Sequence, residues 1–266
     1  MKITEISASD KLEQLRRSDE DCFDLSFHTI SAYKEHAAMM HYSATEESDC
    51  ELKPEGMLLV DSGGQYFTGT TDITRTFILG PVSEEIKMHY TAVLRGLIRL
   101  SKAKFLYGCR GINLDILARG PLWDMGIDYK CGTGHGIGFV LNVHEGPNGF
   151  RYKKVPERDD QDKIVPGMIT TIEPGVYKAN KYGIRIENNL LCVNAFENEN
   201  GIFYKFETIT YVPIGVEALC LSMLNDEEIE WINNYHQLVY DKLSILIDDP
   251  ELLSYLRIKT KRISKN

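Results

Sequence analysis

Apolar and polar positions alternate along the chain with two periods. "PVSEEIKMHYTAVLRGLIRLSKAKF" (81–105) places Ile86, Tyr90, Val93, Leu94, Leu97 and Ile98 on one stripe. That is the 3.6-residue period of a helix, with Ser83 as its cap and Glu84 and Glu85 at its positive end. "NDEEIEWINNYHQLVYDKLSILI" (225–247) predicts a second long amphipathic helix, and "INLDILARGPLWDMG" (112–126) a third. Gly120-Pro121 predicts a kink or an early end in the third. Residues 10–21 carry mostly charge around Leu12 and Leu15 and predict a short exposed helix.

Elsewhere the period falls to two. "MLLVDSGGQYFTGTTDITRTFIL" (57–79) predicts strand, Gly-Gly turn and a β-branched return strand. "MITTIEPGVY" (168–177) and "GIRIENNLLCV" (183–193) predict strands around the polar turn "KANKYG", and "FYKFETITYVPI" (203–214) a further strand. The basic tail "RIKTKRISKN" and the patch Tyr152, Lys153 and Lys154 predict solvated segments. The whole predicts one α+β domain, antiparallel hairpins backed by helices, with no linker or repeat dividing it.

At 266 residues the chain can bury a sizeable core. A formal charge of −9 argues against a nucleic-acid binder, which needs a basic surface. The six cysteines form no C-x-x-C pair, the opening residues have no apolar leader, and no apolar run of membrane-spanning length occurs. These features predict free thiols and a cytoplasmic protein without a membrane partner.

The chemistry gathers in the hairpins. Asp61 ends one strand and Asp72 lies on its return; Glu173 and Glu187 stand in the same relation in the second hairpin. Antiparallel pairing is expected to bring each pair face to face. Paired buried carboxylates repel, and a cation between them relieves both repulsion and burial cost. "GTGHGIGFVLNVHEGP" (132–147) adds His135 among glycines that let backbone approach closely. Four carboxylates and an imidazole balance two divalent cations, an arrangement that activates a water for hydrolysis. The donor set suits Mn²⁺, Zn²⁺ or Co²⁺ better than copper.

The ordered set Asp61, Asp72, His135, Glu173 and Glu187, within "HYSAT", "LLVDSGGQYFTGTTDITRTF", "GTGHGIGFVLNVHEGP", "TTIEPGVY" and "GIRIEN", resembles the pita-bread (creatinase/aminopeptidase) metallopeptidases. The likeness is strongest to the Xaa-Pro aminopeptidase (aminopeptidase P) branch. It runs from about Ile6 to "NNYHQLVYDKLSILI". The resemblance implies a curved antiparallel sheet backed by helices. It implies those five residues as ligands of two divalent ions, Mn²⁺ ahead of Zn²⁺ or Co²⁺, with Asp72 and Glu187 bridging. Glu173 would also move the proton of the attacking water, His144 would steady the tetrahedral intermediate, and His41 would line the substrate pocket. Thr74 and Arg185 would orient the carboxylates. The implied reaction is hydrolysis of the amino-terminal Xaa-Pro bond of peptides with proline second. Alternatives are a prolidase restricted to dipeptides, or a pita-bread module without catalysis.

Two features depart from the family's pattern. Cys131 stands four residues before His135, where relatives carry another histidine, so a weak donor faces the expected substrate pocket. The amino-terminal domains and first catalytic-domain helix of full members have no counterpart here. Residues 1–266 are therefore expected as a single catalytic domain, and a homodimer would rest mainly on those other domains.

Overall fold

The computed structural model describes residues 2–157 and 161–265. Helix α1 (Glu5–Arg17) begins earlier than the charge pattern suggests, because Thr4 caps it: its hydroxyl accepts from Ser7 N–H while Ser7 answers at the cap backbone. Strands β1 (Cys22–Leu25) and β2 (Ile30–Tyr33) follow, then a 3₁₀ turn at Lys34–Ala38. The segment expected as one hairpin resolves into β3 (Met57–Ser62), β4 (Gly64–Tyr66), β5 (Gly69–Thr70) and β6 (Ile73–Ile78). Strand β3 lies between β2 and β6, antiparallel to both.

Helix α2 (Glu84–Ser101) forms where its stripe predicts, and Ser83 caps it by accepting from Ile86 N–H. Tyr90, Val93, Leu94, Leu97 and Ile98 are fully buried. Each large apolar side chain so buried contributes about 1.5–3 kcal/mol. Strand β7 (Lys104–Leu106) leads to α3 (Gly111–Trp123), which ends two residues past Pro121. A Cβ on Gly96 would lie 2.3 Å from the Ala118 carbonyl, so glycine lets α2 and α3 pack backbone to backbone.

Two short strands, β8 (Gly134–His135) and β9 (Gly149–Phe150), pair with each other. Then come β10 (Ile169–Ile172), β11 (Gly175–Lys178), β12 (Tyr182–Arg185), β13 (Asn188–Asn198) and β14 (Gly201–Thr208). Strands β10, β13, β14 and β7 form one sheet, and β11–β12 a hairpin beyond it. The strand expected to run unbroken over 168–177 is interrupted at Glu173-Pro174, since proline cannot donate to a ladder. The pairings Ile172↔Asn188 and Gly175↔Arg185 share one register, which sets Glu173 opposite Glu187 across the gap.

The other acid pair departs from expectation. Asp61 pairs with Thr74, and Asp72 precedes β6 by one residue. Asp61 and Asp72 are therefore diagonal rather than directly opposed, yet Asp72 and Thr74 are two apart and share a face. Strand β6 stitches the two units together. Thr76 Oγ1 donates to the Arg185 carbonyl at 2.9 Å and accepts from Arg185 N–H at 3.1 Å, and Glu187 N–H donates to the Thr74 carbonyl at 3.1 Å.

Helix α4 (Asp226–Leu243) is boxed by Asn225 and Glu228. The tail from Arg257 onward is solvated over most of its length, as expected: Arg257, Ile258, Lys261, Arg262, Ser264 and Lys265 are exposed. Helix α5 (Pro250–Lys259), capped by Asp249, buries Leu256. Asn233 on α4 exchanges two hydrogen bonds with the Ile263 backbone, at 2.8 and 3.0 Å. Buried Thr260 and half-buried Ile263 anchor the tail without enclosing it. Tyr152, Lys153 and Lys154 are exposed, as expected, with the Tyr152 ring edge-on to Trp123 at 5.7 Å. Among the described residues no helix is long and apolar enough to cross a membrane.

Candidate metal centre

The register that opposes Glu173 and Glu187, and the β6 stitching, bring Asp72, Glu173 and Glu187 to His135. Its Nε2 lies 3.4 Å from Asp72 Oδ2 and 3.3 Å from Glu173 Oε1. One donor atom each from Asp72, His135 and Glu187 fit within 4.8 Å of one another. His135 Nδ1 sits 3.0 Å from the Gly136 carbonyl. A carbonyl only accepts, so Nδ1 carries a proton and Nε2 is left facing the carboxylates.

Arg185, almost wholly buried, orders the other acids. Its Nη2 donates to Asp61 Oδ2 at 2.6 Å, Nε to Thr74 Oγ1 at 2.9 Å and Nη1 to Tyr177 Oη at 2.8 Å. Thr74 Oγ1 passes its own proton to Glu187 Oε2 at 2.9 Å. Thr171 Oγ1 accepts from His135 N–H at 3.1 Å and donates to Glu173 Oε1 at 3.3 Å.

One guanidinium and one imidazole do not satisfy four carboxylates, of which Asp61, Asp72 and Glu187 are buried and Glu173 is half-buried. Asp61 Oδ1 and Glu187 Oε1 are buried without a hydrogen-bond partner among the described residues. Burial, opposed by Arg185 and reinforced by Asp72 and Glu173, pushes Asp61 up to about 7. Burial and the charges of Asp72 and Glu173 hold Glu187 well above the usual carboxylate range. Burial also acts against Glu173, but its hydrogen bond to His135 and the charges of His135 and Arg185 outweigh it and hold Glu173 low. His135 is raised well above its ordinary value: burial opposes the charge, and Asp72 and Glu173 override burial. Orphaned oxygens and raised acids on one imidazole fit divalent cations, which would replace the protons and satisfy the lone pairs together.

The centre opens on a cavity of about 430 Å³ whose lining includes Asp61, Asp72, His135, Glu173 and Arg185. His41 and Cys131 also line it, and so does His144, whose ring packs edge-on against His135 at 4.1 Å. Burial, then the neighbouring His135, holds His144 below the ordinary histidine range. Burial pushes the Cys131 thiol up to about 12, so it stays protonated. His28 lines the same cavity and was not marked by the sequence, where it is one histidine beside a strand without spacing to a partner.

Two supports were missed by the sequence reading, though the four-residue spacing of Asp115 and Arg119 on one helix is a signal for the first. Arg119 on α3 is fully buried, paired with Asp115 at 2.7 Å and Asp128 at 2.7 Å. It donates to the Cys131 carbonyl at 2.8 Å and to Thr133 Oγ1 at 3.3 Å. The Thr133 carbonyl in turn accepts from Glu173 N–H at 2.7 Å. The second is Glu5, wholly buried, whose carboxylate accepts from Tyr33 N–H at 2.6 Å and Tyr42 O–H at 3.1 Å.

Comparison with known proteins bears on this arrangement. The sequence model of metallopeptidase family M24 matches residues 1–194, and that of the C-terminal region of M24 peptidases matches 202–263. The chain belongs to metallopeptidase family M24. Within the family its similarity is to the Xaa-Pro aminopeptidase branch. Aminopeptidase P1 of Arabidopsis thaliana is 43% identical over 267 residues, covering 99% of this chain and 41% of that protein. A probable Xaa-Pro aminopeptidase P of Aspergillus oryzae is 41% identical over 273 residues, covering 99% and 40%. The chain thus spans about two fifths of the length of these curated relatives. The crystal structure of X-prolyl aminopeptidase from Caenorhabditis elegans, a cytosolic enzyme with a di-nuclear active site, superposes with a TM-score of 0.91 at 39% identity. It is covered over 42% of its length by 98% of this chain. The Xaa-Pro dipeptidase from Bacillus anthracis gives 0.64 at 30% identity, covering 80% of this chain and 54% of that one. The fold of this M24 chain is accordingly the pita-bread fold.

Proposed function

We propose that residues 1–266 form a single catalytic domain that removes the first residue from peptides with proline second. The observation that carries this reading is the convergence of four carboxylates, three of them buried, and His135 Nε2 beside a cavity lined by His144 and His41. Asp61, Asp72, His135, Glu173 and Glu187 would hold two divalent ions, Mn²⁺ ahead of Zn²⁺ or Co²⁺. Bound ions of this kind supply Lewis acidity at the scissile carbonyl and bring the pKa of a water close to neutrality.

The protein's own groups do the rest. Arg185 and Thr74 hold Asp61 and Glu187 in fixed orientations through the hydrogen bonds described above. Glu173, kept anionic beside His135, accepts the proton of the attacking water. The nitrogen of an Xaa-Pro bond bears no hydrogen, so the site cannot hold the substrate through that group. That nitrogen must gain a proton to leave, and Glu173 is placed to return the one it took. His144, neutral near pH 7 because its pKa is lowered, offers an N–H to the oxyanion that develops. His41 contacts the substrate from the cavity wall, and the Cys131 thiol faces it as an uncharged, weakly donating group.

The likeness to an Xaa-Pro dipeptidase supports a second reading, a prolidase confined to dipeptides. The greater likeness to X-prolyl aminopeptidase favours the first. Six free cysteines and the cytosolic neighbour support a cytoplasmic setting, and the acidic chain gives no support for nucleic-acid or membrane partners. A homodimer, where it forms, is proposed to rest mainly on the amino-terminal domains of longer relatives. The test is to supply the purified chain with Mn²⁺ and follow release of the first residue from Xaa-Pro-Xaa tripeptides and Xaa-Pro dipeptides. Tripeptide cleavage is expected; cleavage of dipeptides alone would establish the prolidase reading. A metal-loaded chain that cleaves neither would leave a pita-bread module without catalysis.

A further inference from the structure

Glu5, the first residue of α1, is an acid wholly buried far from the five proposed ligands in sequence. Its Oε1 accepts from Tyr33 N–H at 2.6 Å and lies 3.0 Å from His36 Nδ1. Its Oε2 lies 3.1 Å from the same nitrogen and accepts from Tyr42 O–H at 3.1 Å and Cys50 N–H at 3.2 Å. Glu5 N–H closes the ring by donating to the Cys50 carbonyl at 3.1 Å. Glu5, His36 and Cys50 stand close enough to hold an ion, their donor atoms within 4.8 Å of one another. Yet both carboxylate oxygens already take the contacts a carboxylate can take, so no lone pair is left for a cation. A buried carboxylate is costly unless its oxygens are met in this way, and here they are met from four points of one segment.

Those points, Tyr33, His36, Tyr42 and Cys50, bracket the stretch Met40–Ser43, whose four residues all line the cavity. The Tyr42 ring stacks on His36 at 4.5 Å, which joins the buried acid to the residue beside His41. On the cavity side Arg185 Nη2, the nitrogen that holds Asp61, reaches the Met40 carbonyl at 3.5 Å. The intervening 3₁₀ turn is pressed onto β12: a Cβ on Gly183 would lie 1.7 Å from the Ala37 carbonyl. The segment is therefore held from inside by Arg185 and from outside by Glu5.

We propose that Glu5 is a positioning residue for substrate binding: through His36 and Tyr42 it latches the 33–50 segment and so sets His41 against the peptide. The proposal rests on the reading of the cavity as the peptide site. None of Glu5's hydrogen-bond partners is one of the five proposed ligands, so loosening the latch weakens peptide binding and leaves metal loading and the chemical step in place.

The test uses two variants of the full chain. Glu5→Gln removes the anion, and His36→Phe removes one donor while keeping a ring to stack on Tyr42. Hydrogen exchange over residues 39–49 is expected to quicken in both, with 57–78 and 133–138 unchanged. With Mn²⁺ and an Xaa-Pro-Xaa tripeptide, KM is expected to rise about fivefold, the scale of one hydrogen bond's net worth, with kcat within about twofold. Wild-type exchange over 39–49 in folded His36→Phe overturns the latch, and so does a loosened segment with KM unchanged or with the loss falling on kcat. Should Glu5→Gln fail to fold, His36→Phe decides alone. If the wild type cleaves no Xaa-Pro peptide, the proposed function falls by itself, and the exchange profile of His36→Phe still decides whether the latch exists.

Discussion

Glu173 and Glu187 face each other across one break in a ladder, yet their surroundings pull them apart. Glu173 touches the positive charges of His135 and Arg185 and is held low; Glu187 meets Asp72 and a threonine and is held high. Two carboxylates driven in opposite directions is the usual sign of divided roles, one group to move a proton and one to need a cation. Glu173→Gln keeps the shape and removes the proton carrier. Turnover of an Xaa-Pro tripeptide is expected to fall by about 10²–10⁴-fold while thermal unfolding stays cooperative. Near-normal kcat in the folded variant would take Glu173 out of proton transfer. Gly134 makes a separate case for space: a Cβ there would lie 1.9 Å from the Thr171 carbonyl, and Thr171 in turn holds His135 and Glu173. Gly134→Ala is expected to cost about 1–3 kcal/mol of stability, as overpacking does. It should also weaken Mn²⁺ binding measured by calorimetry, and unaltered affinity would show that β8 can shift without disturbing the ligands.

At the scale of elements, what the sequence made legible follows from what period and spacing encode. The α2 stripe is a local pattern and survives into the structure nearly as read, whereas the two expected hairpins are divided into shorter strands. The four acids and one imidazole were legible because each sits in a string short enough to recognise. The offset between Asp61 and Asp72 and the break at Glu173-Pro174 depend on register, which alternation alone does not fix. Glu5 was invisible for a related reason: its partners Tyr33, His36, Tyr42 and Cys50 are joined to it by the fold rather than by sequence. Arg119 stands four residues after Asp115, a helical spacing the sequence does show, but its links to Asp128, Cys131 and Thr133 depend on the fold. Arg119 ties α3 to the strand bearing His135. Arg119→Met would leave Asp115 buried without its cation, and urea denaturation is expected to show a loss of about 3–5 kcal/mol. A loss below about 1 kcal/mol would mean that the Tyr129 and Thr133 hydroxyls suffice for Asp115.

For the whole molecule, the centre links stability, metal and pH. In the metal-free chain Asp61 is raised to about 7 and Glu187 well above the carboxylate range, so the folded state holds protons that the unfolded chain has released. Their stabilising effect is complete below the ordinary carboxylate values and is lost as pH climbs through the folded ones. His135, also raised, adds in the same direction, its share vanishing as pH rises through its folded value. Glu173 is lowered and works the other way, but only on acidification below the ordinary glutamate range. Buried His236, lowered to about 4, favours the folded state above the ordinary histidine value and loses that effect as pH falls toward 4. It contacts the Ile214 backbone, away from the centre, and so affects metal-free and metal-loaded protein alike. The difference between the two forms therefore isolates the centre. Cations must displace the protons on Asp61, Glu187 and His135, so binding strengthens as pH rises. One proton released across two pH units corresponds to about 2.7 kcal/mol. The gain in Tm on adding Mn²⁺ to chelator-treated protein is then expected to be at least about 3 °C larger near pH 7.5 than near pH 5.5. A gain that is equal at both pH values would mean that the ions displace no protons, and the raised acids would have to be explained without them.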